Sequence, residues 1–536
     1  MVNEELSDTA DPERLPIVIG VGQSLSRWNG ADSQNAPSPL SLSVTASREA
    51  LKNTGAQSAL TERLDAIASV RTLEDSIPRS PYPFGRCDNY PGAVAEALDL
   101  NISSAVYSAV GGDQPQALVN EYAAKLATGE HRAVLLCGAE ATAAYKAASR
   151  GEQSLDWSSS SGSAFEDRGI GEPLSTRHER RCGLGWPTNS YPFFEEAYRT
   201  RQGLTRSAYL CEMSEMLASF SQVAALNPYA QFPIARAVEF LQTISAENYA
   251  IAGPYLKWHV AQDAVNQGAA VVMTTVAEAR SAGVTEDRWV YLHGHSVLAD
   301  SAVARRPDFS RSRSLEGAIS LALAATGVSA QEIELFDIYS CFPCVVFMAA
   351  EALGLDWRQK TLTQTGGLPF FGGPGNNYSM HAIATMVERL RERRGAFGLV
   401  LANGGYLSKH AVGVYATSAP QRWQAFDGTA QQAAIDAVSR PSLDGESGSP
   451  IHGEVETFSI VYGRGGPEYA TLAVRCDESR ALVKIEDKRS SLLRAIVSGD
   501  DPIGSTVCLR VVSKSDASSL SATEFELLEG GENCSS

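Results

Sequence analysis

Cys341 stands where nucleophilic chemistry is easiest to place. It lies in Asp337-Ile338-Tyr339-Ser340-Cys341-Phe342-Pro343, a strand end running into an apolar stretch with helical spacing. A thiol at a helix N-terminus has its thiolate stabilised by the dipole, so Cys341 is the best candidate nucleophile. A small buried residue packed on Phe342 is the competing reading. With Cys344 it forms CFPC, a redox-pair spacing, but the rest of a thioredoxin pattern is missing. Residues 366–381 read GGLPFFGGPGNNYSMH, with glycines at 366, 367, 372, 373 and 375 and prolines at 369 and 374. That density excludes a helix interior and requires a tight loop. A helix pattern follows, with Ser379 as cap and Ile383, Met386 and Leu390 at helical spacing. Such a loop can hold an anion or a polarised carbonyl, or it can be a structural turn. His381 suits proton transfer if it faces a pocket and packing if it does not. Asp113, Asn376 and Asn377 are the polar groups available to contact a carbonyl or water. His293 and His295 share a strand face, but no third ligand is evident and no metal is expected. His259, in LKWHVAQ, reads as a core or lining residue.

These residues need a scaffold, and the chain supplies alternating elements. IVIGVG at 17–22, AVLLC at 133–137, GAAVVMTT at 268–275 and FGLVLAN at 397–403 are short buried strands. Helical patterns at 42–54, 116–126, 315–327 and 382–394 separate them, which predicts α/β units around a largely parallel sheet. The order of strand, glycine and helix recurs weakly in the second half. Residues 141 to about 255 break the rhythm as a mostly helical excursion carrying Arg177, Arg180 and Arg181. Residues 419–450 are rich in Pro, Ser, Gly and Asp, a linker composition. Beyond them, strands at 454–461, 469–475, 481–485 and 506–512 predict a small all-β barrel or sandwich. The stretch after Asp516 reads as a polar, frayed tail.

Length and charge bound the rest. The 536 residues exceed one compact core, so two or three domains are expected. A net charge of −17 argues against nucleic acid and anionic membranes, and residues 451–530 lack the basic, aromatic face that single strands need. No run is long and apolar enough to span a bilayer, and the acidic start MVNEELSDTADPERLP is no signal peptide. Nine cysteines, an odd number in mostly apolar settings, suggest reduced thiols and a cytoplasmic protein.

Two α/β halves, a helical excursion after the first and a glycine loop in the second together resemble the thiolase superfamily, nearest its sterol-carrier-protein-2 type. The resemblance spans residues 15–418. Gly366-Gly367-Leu368 through Gly372-Gly373-Pro374 is similar to the family's GG-x-x-x-x-GHP loop. Gly138-Ala139-Glu140, Pro254-Tyr255 through Gly268-Ala269-Ala270, and Leu401 to Gly405 match in order and spacing. The implied fold is α/β, a duplicated thiolase fold layered αβαβα with a helical loop insertion and a C-terminal all-β barrel. The implied domains are a flexible N-terminus (1–14), an N-terminal half (15–285, insertion about 141–255), a C-terminal half (286–418), a linker (419–450), a barrel (451–530) and a tail (531–536). Gly453 to Phe458, Pro467 and Asp501-Pro502-Ile503-Gly504 resemble the oligonucleotide-fold domains that accompany acyl-CoA-handling thiolases.

Thiolase chemistry needs a nucleophilic cysteine, an activating histidine and a second, proton-moving cysteine. The resemblance puts these at Gly111, Gly373 and Asn403, none of which can attack or act as a base near neutral pH. It also implies that Tyr339, Asp113, Asn376 and Asn377 line the pocket and that Arg177, Arg180 and Arg181 meet the nucleotide end of a CoA. The expected function is a thiolase-like protein of lipid metabolism that binds an acyl-CoA or similar ligand without the thiolase reaction. Enzymatic activity stays open. One alternative is an acetyl-CoA acyltransferase or retro-Claisen enzyme using Cys341 and His381. Another is a structural subunit of a lipid-metabolic complex. No tightly bound cofactor is expected, the β-domain is a possible partner-docking module, and monomer and dimer are both open.

Overall fold

The computed structural model describes residues 11–28, 30–172, 175–443, 450–513 and 524–528. The expected flexible N-terminus lies outside them through residue 10, as do the 531–536 tail and part of the 419–450 connection.

The first half contributes β1 (Pro16–Leu25), β2 (Leu64–Ser69), β3 (Ser104–Tyr107), β4 (Ala133–Glu140) and the two-residue β5 (Glu166–Asp167). The excursion carries β6 (Ala250–Gly253) and β7 (Tyr255–Leu256), and β8 (Gln267–Thr275) returns to the first half. The second half adds β9 (Val290–Ala299), β10 (Ile333–Ile338), β11 (Phe397–Gly404) and β12 (Lys409–Ala416). Their order in the large sheet is β10-β11-β12-β9-β1-β8-β4-β2-β3-β5. The outer pairs β10–β11, β4–β2, β2–β3 and β3–β5 are parallel. The five pairs through the middle are antiparallel. The sheet is therefore mixed, which corrects the largely parallel one expected from alternation. The physical reason is that β8 and β12 each double back beside the first strand of their own half, and those first strands meet antiparallel, with Ile17 opposite Tyr291.

The two halves repeat one construction. Helix Pro39–Asn53 packs on β1 and β8, and helix Arg313–Thr326 packs on β9 and β12, each on an outer face. Helices Gln114–Thr128 and Tyr378–Glu392 lie together in the middle layer and touch strands of both halves. The layering is αβαβα. Matched glycines allow the outer helices to approach closely: a Cβ on Gly20 would lie 2.3 Å from the Ala50 carbonyl oxygen, and one on Gly294 would lie 2.2 Å from that of Ala322.

At the far end, β5 pairs with β3, Val106 opposite Glu166. Asp167 pairs with the buried Arg71, and Arg168 makes two bonds to Glu121 at 2.7 and 2.8 Å.

The C-terminal strands are β13 (Ile451–Gly463), β14 (Gly466–Cys476), β15 (Ser479–Ile485), β16 (Thr506–Ser513) and β17 (Glu524–Leu527). They close on themselves in the order β13-β14-β15-β17-β16-β13. β17 shows that residues after Asp516 do not all form the frayed tail expected: Phe525 turns inward and joins the barrel core with Val455, Phe458, Leu472 and Leu509. The barrel is bonded to the body. β13 also pairs with β6, and Thr457 and Thr471 hydroxyls donate to the Phe193 and Cys182 carbonyls. Buried Arg480 pairs with Glu456 and donates to the Ala304 and Arg306 carbonyls at 3.0 and 2.6 Å. Ahead of the barrel, residues 419–443 are held along the second half: Trp423 stacks on His295 at 5.6 Å and Gln432 bonds Ala299. Cys87, Cys137, Cys182, Cys211, Cys341, Cys344 and Cys476 are free thiols. No helix among the described residues is long and apolar enough to cross a membrane.

Candidate functional site

Four segments converge at the middle layer: the start of helix Gln114–Thr128, the turn that follows β10, the glycine loop before helix Tyr378–Glu392, and the end of β11. They bring Gly111, Asp113, Tyr339, Cys341, Asn376 and Asn403 together. Gly111 has φ +156, and a Cβ there would lie 2.0 Å from Asp113 Oδ1. A Cβ on Gly112 would lie 2.3 Å from the Tyr339 hydroxyl oxygen and 2.6 Å from the Asn403 carbonyl oxygen. A side chain at Gly111 or Gly112 would thus meet a carboxylate, a phenol and backbone. Asp113 is buried, its Oδ1 has no hydrogen-bond partner and its Oδ2 accepts from Gln114 at 2.9 Å. Burial pushes its pKa up, opposed by the charge of Lys409.

The loop closes the site from the other half. Gly111 N–H donates to Asn376 Oδ1 at 3.2 Å, while Asn376 Nδ2 donates to the Arg71 carbonyl at 2.8 Å and to Ser76 at 3.0 Å. Asn377 Nδ2 donates to the Gly138 carbonyl at 2.6 Å, and Ser379 donates to that of Gly112 at 3.0 Å. Gly373 N–H donates to the Gln262 carbonyl at 2.8 Å, and Gly375 N–H to that of Gly373. A Cβ on Gly373 would meet Ala261 Cβ at 3.3 Å, tighter than an ordinary contact. Gly366, Gly367 and Leu368 N–H groups are taken by Thr363, Thr365 and Ser340. These backbone donors are spent inside the fold, so at these positions the anion cradle suggested by composition is a turn bonded to its surroundings.

Cys341 lies just outside helix Pro343–Ala352, whose first N–H groups are served elsewhere: Cys344 N–H donates to Glu195 Oε2 at 3.0 Å. Glu195 also accepts from the Tyr209 and Tyr255 hydroxyls. The Cys341 thiol sits 3.4 Å from Asn403 Nδ2. Burial pushes it up to about 12, outweighing the hydrogen bonds from Tyr191 and Asn403. The thiolate expected from the dipole is not the resting form, because desolvation dominates. Cys344, fully buried against Glu195, is likewise pushed up by burial.

The other sequence candidates lie apart from this cluster. His381 is fully enclosed, with Nδ1 on Gln23 Oε1 at 2.8 Å and the ring edge-on to Phe371; burial holds it neutral, with a pKa pushed down to about 3. Of the arginine cluster, Arg181 pairs with Glu524 of β17 at 3.4 Å and Arg180 bonds the Ser175 carbonyl, while Arg177 is exposed. His293 donates to the Ser418 carbonyl at 2.6 Å, and His295 stacks on Trp423. His259 accepts from Leu256 N–H and donates to the Leu241 carbonyl.

The sequence reading missed Tyr191 and Glu195. The Tyr191 hydroxyl accepts from Asn403 Nδ2 at 2.8 Å and from Leu407 N–H at 2.9 Å, and its ring stacks on Phe342 at 4.0 Å. Burial raises Glu195 to about 7, against the bonds from Tyr209 and Tyr255. Their four-residue spacing, on one helix face within an aromatic-rich run, was the available signal. Glu140, raised by burial to about 8, accepts from Leu73 N–H at 2.6 Å and abuts Gly375.

No family profile matches the chain, and no curated protein does. Among solved structures it is similar to a monomeric SCP2-thiolase-like protein type 1 from Mycobacterium smegmatis, at 35% identity and TM-score 0.77, covering 93% of this chain and 97% of that one. An Ltp2-ChsH2(DUF35) aldolase matches at 15% identity and TM-score 0.57, over 76% of this chain and 99% of that one. The dimeric peroxisomal thiolase of Saccharomyces cerevisiae matches at 16% and 0.55, over 76% and 98%. The latter two show the fold alone, whereas the first shares sequence across nearly its whole length, barrel included. The chain belongs to the SCP2-thiolase-like proteins of the thiolase superfamily.

Proposed function

We propose that this chain handles an acyl-CoA or related acyl ligand on a thiolase scaffold without running the thiolase reaction. The observation that carries the reading is the closure at Gly111, where Asp113 Oδ1 occupies the volume of a side chain. Gly373 and Asn403 supply neither base nor thiol, and Cys341 is protonated and enclosed. A covalent acyl-enzyme has no attacking group here. No tightly bound cofactor belongs to this reading.

The test pairs intact-mass measurement after acetyl-CoA with calorimetry against acetyl-CoA. Binding heat with unchanged mass is expected. An acetyl adduct, above all one lost in Cys341→Ser, overturns the reading in favour of an acyltransferase. The loop's N–H groups, spent on acceptors within the fold, favour one second reading, a structural subunit, and absence of heat at millimolar acetyl-CoA would select it.

A further inference from the structure

The excursion and the barrel meet at a cleft of about 280 Å³ whose lining includes neither Gly111, Gly373 nor Cys341. Leu210 of helix Arg206–Leu226, Ile244 and Leu256 wall it from the excursion. Ile460 of β13 and Ile496 and Val497 of helix Ser491–Ser498 wall it from the barrel. The two sides are joined where Gly253 of β6 pairs with Ile460. The rim is apolar as well, since Ile244 is 70% exposed and Val497 39% exposed. Both charges in the lining are spent within the fold. Arg206 lies 4.8 Å over the Phe458 ring and donates from Nη1 to the Ile496 carbonyl at 3.0 Å, while its Nε and Nη2 are shut from solvent. Glu196 is buried and taken by Arg199 Nε at 2.7 Å. The Tyr255 hydroxyl donates to Glu195. The remaining polar side chains of the lining, Ser207, Gln242 and Tyr462, are uncharged.

We infer that this cleft is a binding site for a neutral medium-chain amphiphile, its apolar chain lying between the excursion and the barrel. Aliphatic walls on both sides reward burial of a hydrocarbon chain. With no free charge in the lining, a carboxylate or ammonium head would leave water without a partner, so the cleft selects against fatty-acid anions and amines. An uncharged hydroxyl or carbonyl head is served by groups such as Gln242 and Tyr462. At about 30 Å³ for each water-sized group the cleft holds roughly nine such groups, the size of a medium-chain alcohol. The inference does not rest on the acyl-CoA reading, because it concerns a different surface and a different ligand.

Calorimetric titration of the full chain with octanol and octanoate tests it. Octanol is expected to bind at least about tenfold more tightly than octanoate. Val497→Trp fills the cleft from the barrel side, and Ile244→Asp sets a charge on its rim at a mostly exposed position that keeps the fold. Each is expected to weaken octanol about fivefold or more, with the parent's melting temperature retained in Ile244→Asp. No octanol heat, octanoate bound as tightly as octanol, or parent-like octanol affinity in Ile244→Asp would overturn the assignment. Acetyl-CoA is absent from this titration, so its outcome and that of the acyl-CoA test are read separately.

Discussion

Returning a nucleophile to the chain is the sharpest test of the closed site. Gly111→Cys places a thiol where the thiolase resemblance implies a nucleophile, yet the structure has no room for it. Its backbone, at φ +156, is a region that costs a side-chain-bearing residue about 1–3 kcal/mol. The new Cβ would lie 2.0 Å from Asp113 Oδ1, an overlap that costs a further 1–3 kcal/mol or so. Gly111→Cys alone should therefore lose roughly 2–6 kcal/mol in urea unfolding. Asp113→Ala should be nearly neutral, since the carboxyl it removes is buried with one oxygen unpartnered. The double variant should recover the overlap share, about 1–3 kcal/mol, and keep the backbone share. Neither should gain an acetyl adduct, because no histidine accompanies the thiol. A Gly111→Cys protein as stable as the parent, or one acetylated by acetyl-CoA, refutes the claim that Asp113 fills the nucleophile space.

Three further outcomes follow from buried charges and thiols. Glu140, raised from its ordinary 4.5 to about 8, holds its proton in the native state while the unfolded chain has lost it, so its stability contribution is full below about pH 4.5 and declines as pH rises to about 8. Glu140→Gln should flatten that decline, worth roughly 3–5 kcal/mol across the window in unfolding curves, and an unchanged slope would count against the assignment. Cys341 should resist iodoacetamide at mildly alkaline pH until the chain unfolds, whereas half-buried Cys211 reacts first, as read by peptide mass. Arg480→Met, which leaves Glu456 and two carbonyls without their partner, should cost about 3–5 kcal/mol and raise protease cleavage between the barrel and the body.

The strand and helix alternation is legible because Ile17, Val18, Ile19 and Val134 to Leu136 are buried on both faces and read as apolar runs. Strand direction is not legible in such runs, and this is where the parallel expectation fails. β12, KHAVGVYA, follows β11 so closely that one apolar segment hides two strands. The glycine loop announces its tightness but not its bonding, since Gln262 and Ser340, which absorb its N–H groups, are distant in sequence. Cys341 shows the same limit. Its place before a helix can be read from the chain, whereas the burial that outweighs both the dipole and the hydrogen bonds from Tyr191 and Asn403 comes only with the fold.

The two-residue strand β5 has a consequence for assembly. An exposed strand margin is a template on which another polypeptide can continue the hydrogen-bond ladder. Here that margin, along β3, is occupied by the chain itself and latched by Asp167 on Arg71 and Arg168 on Glu121. A second copy can extend the sheet at this end only after the latch is lifted. Arg71→Ala, which removes one latch, is expected to uncover that margin, read as concentration-dependent association in sedimentation velocity. The ion pairs at Arg71 and Arg168 thus hold in place the short strand that covers this margin.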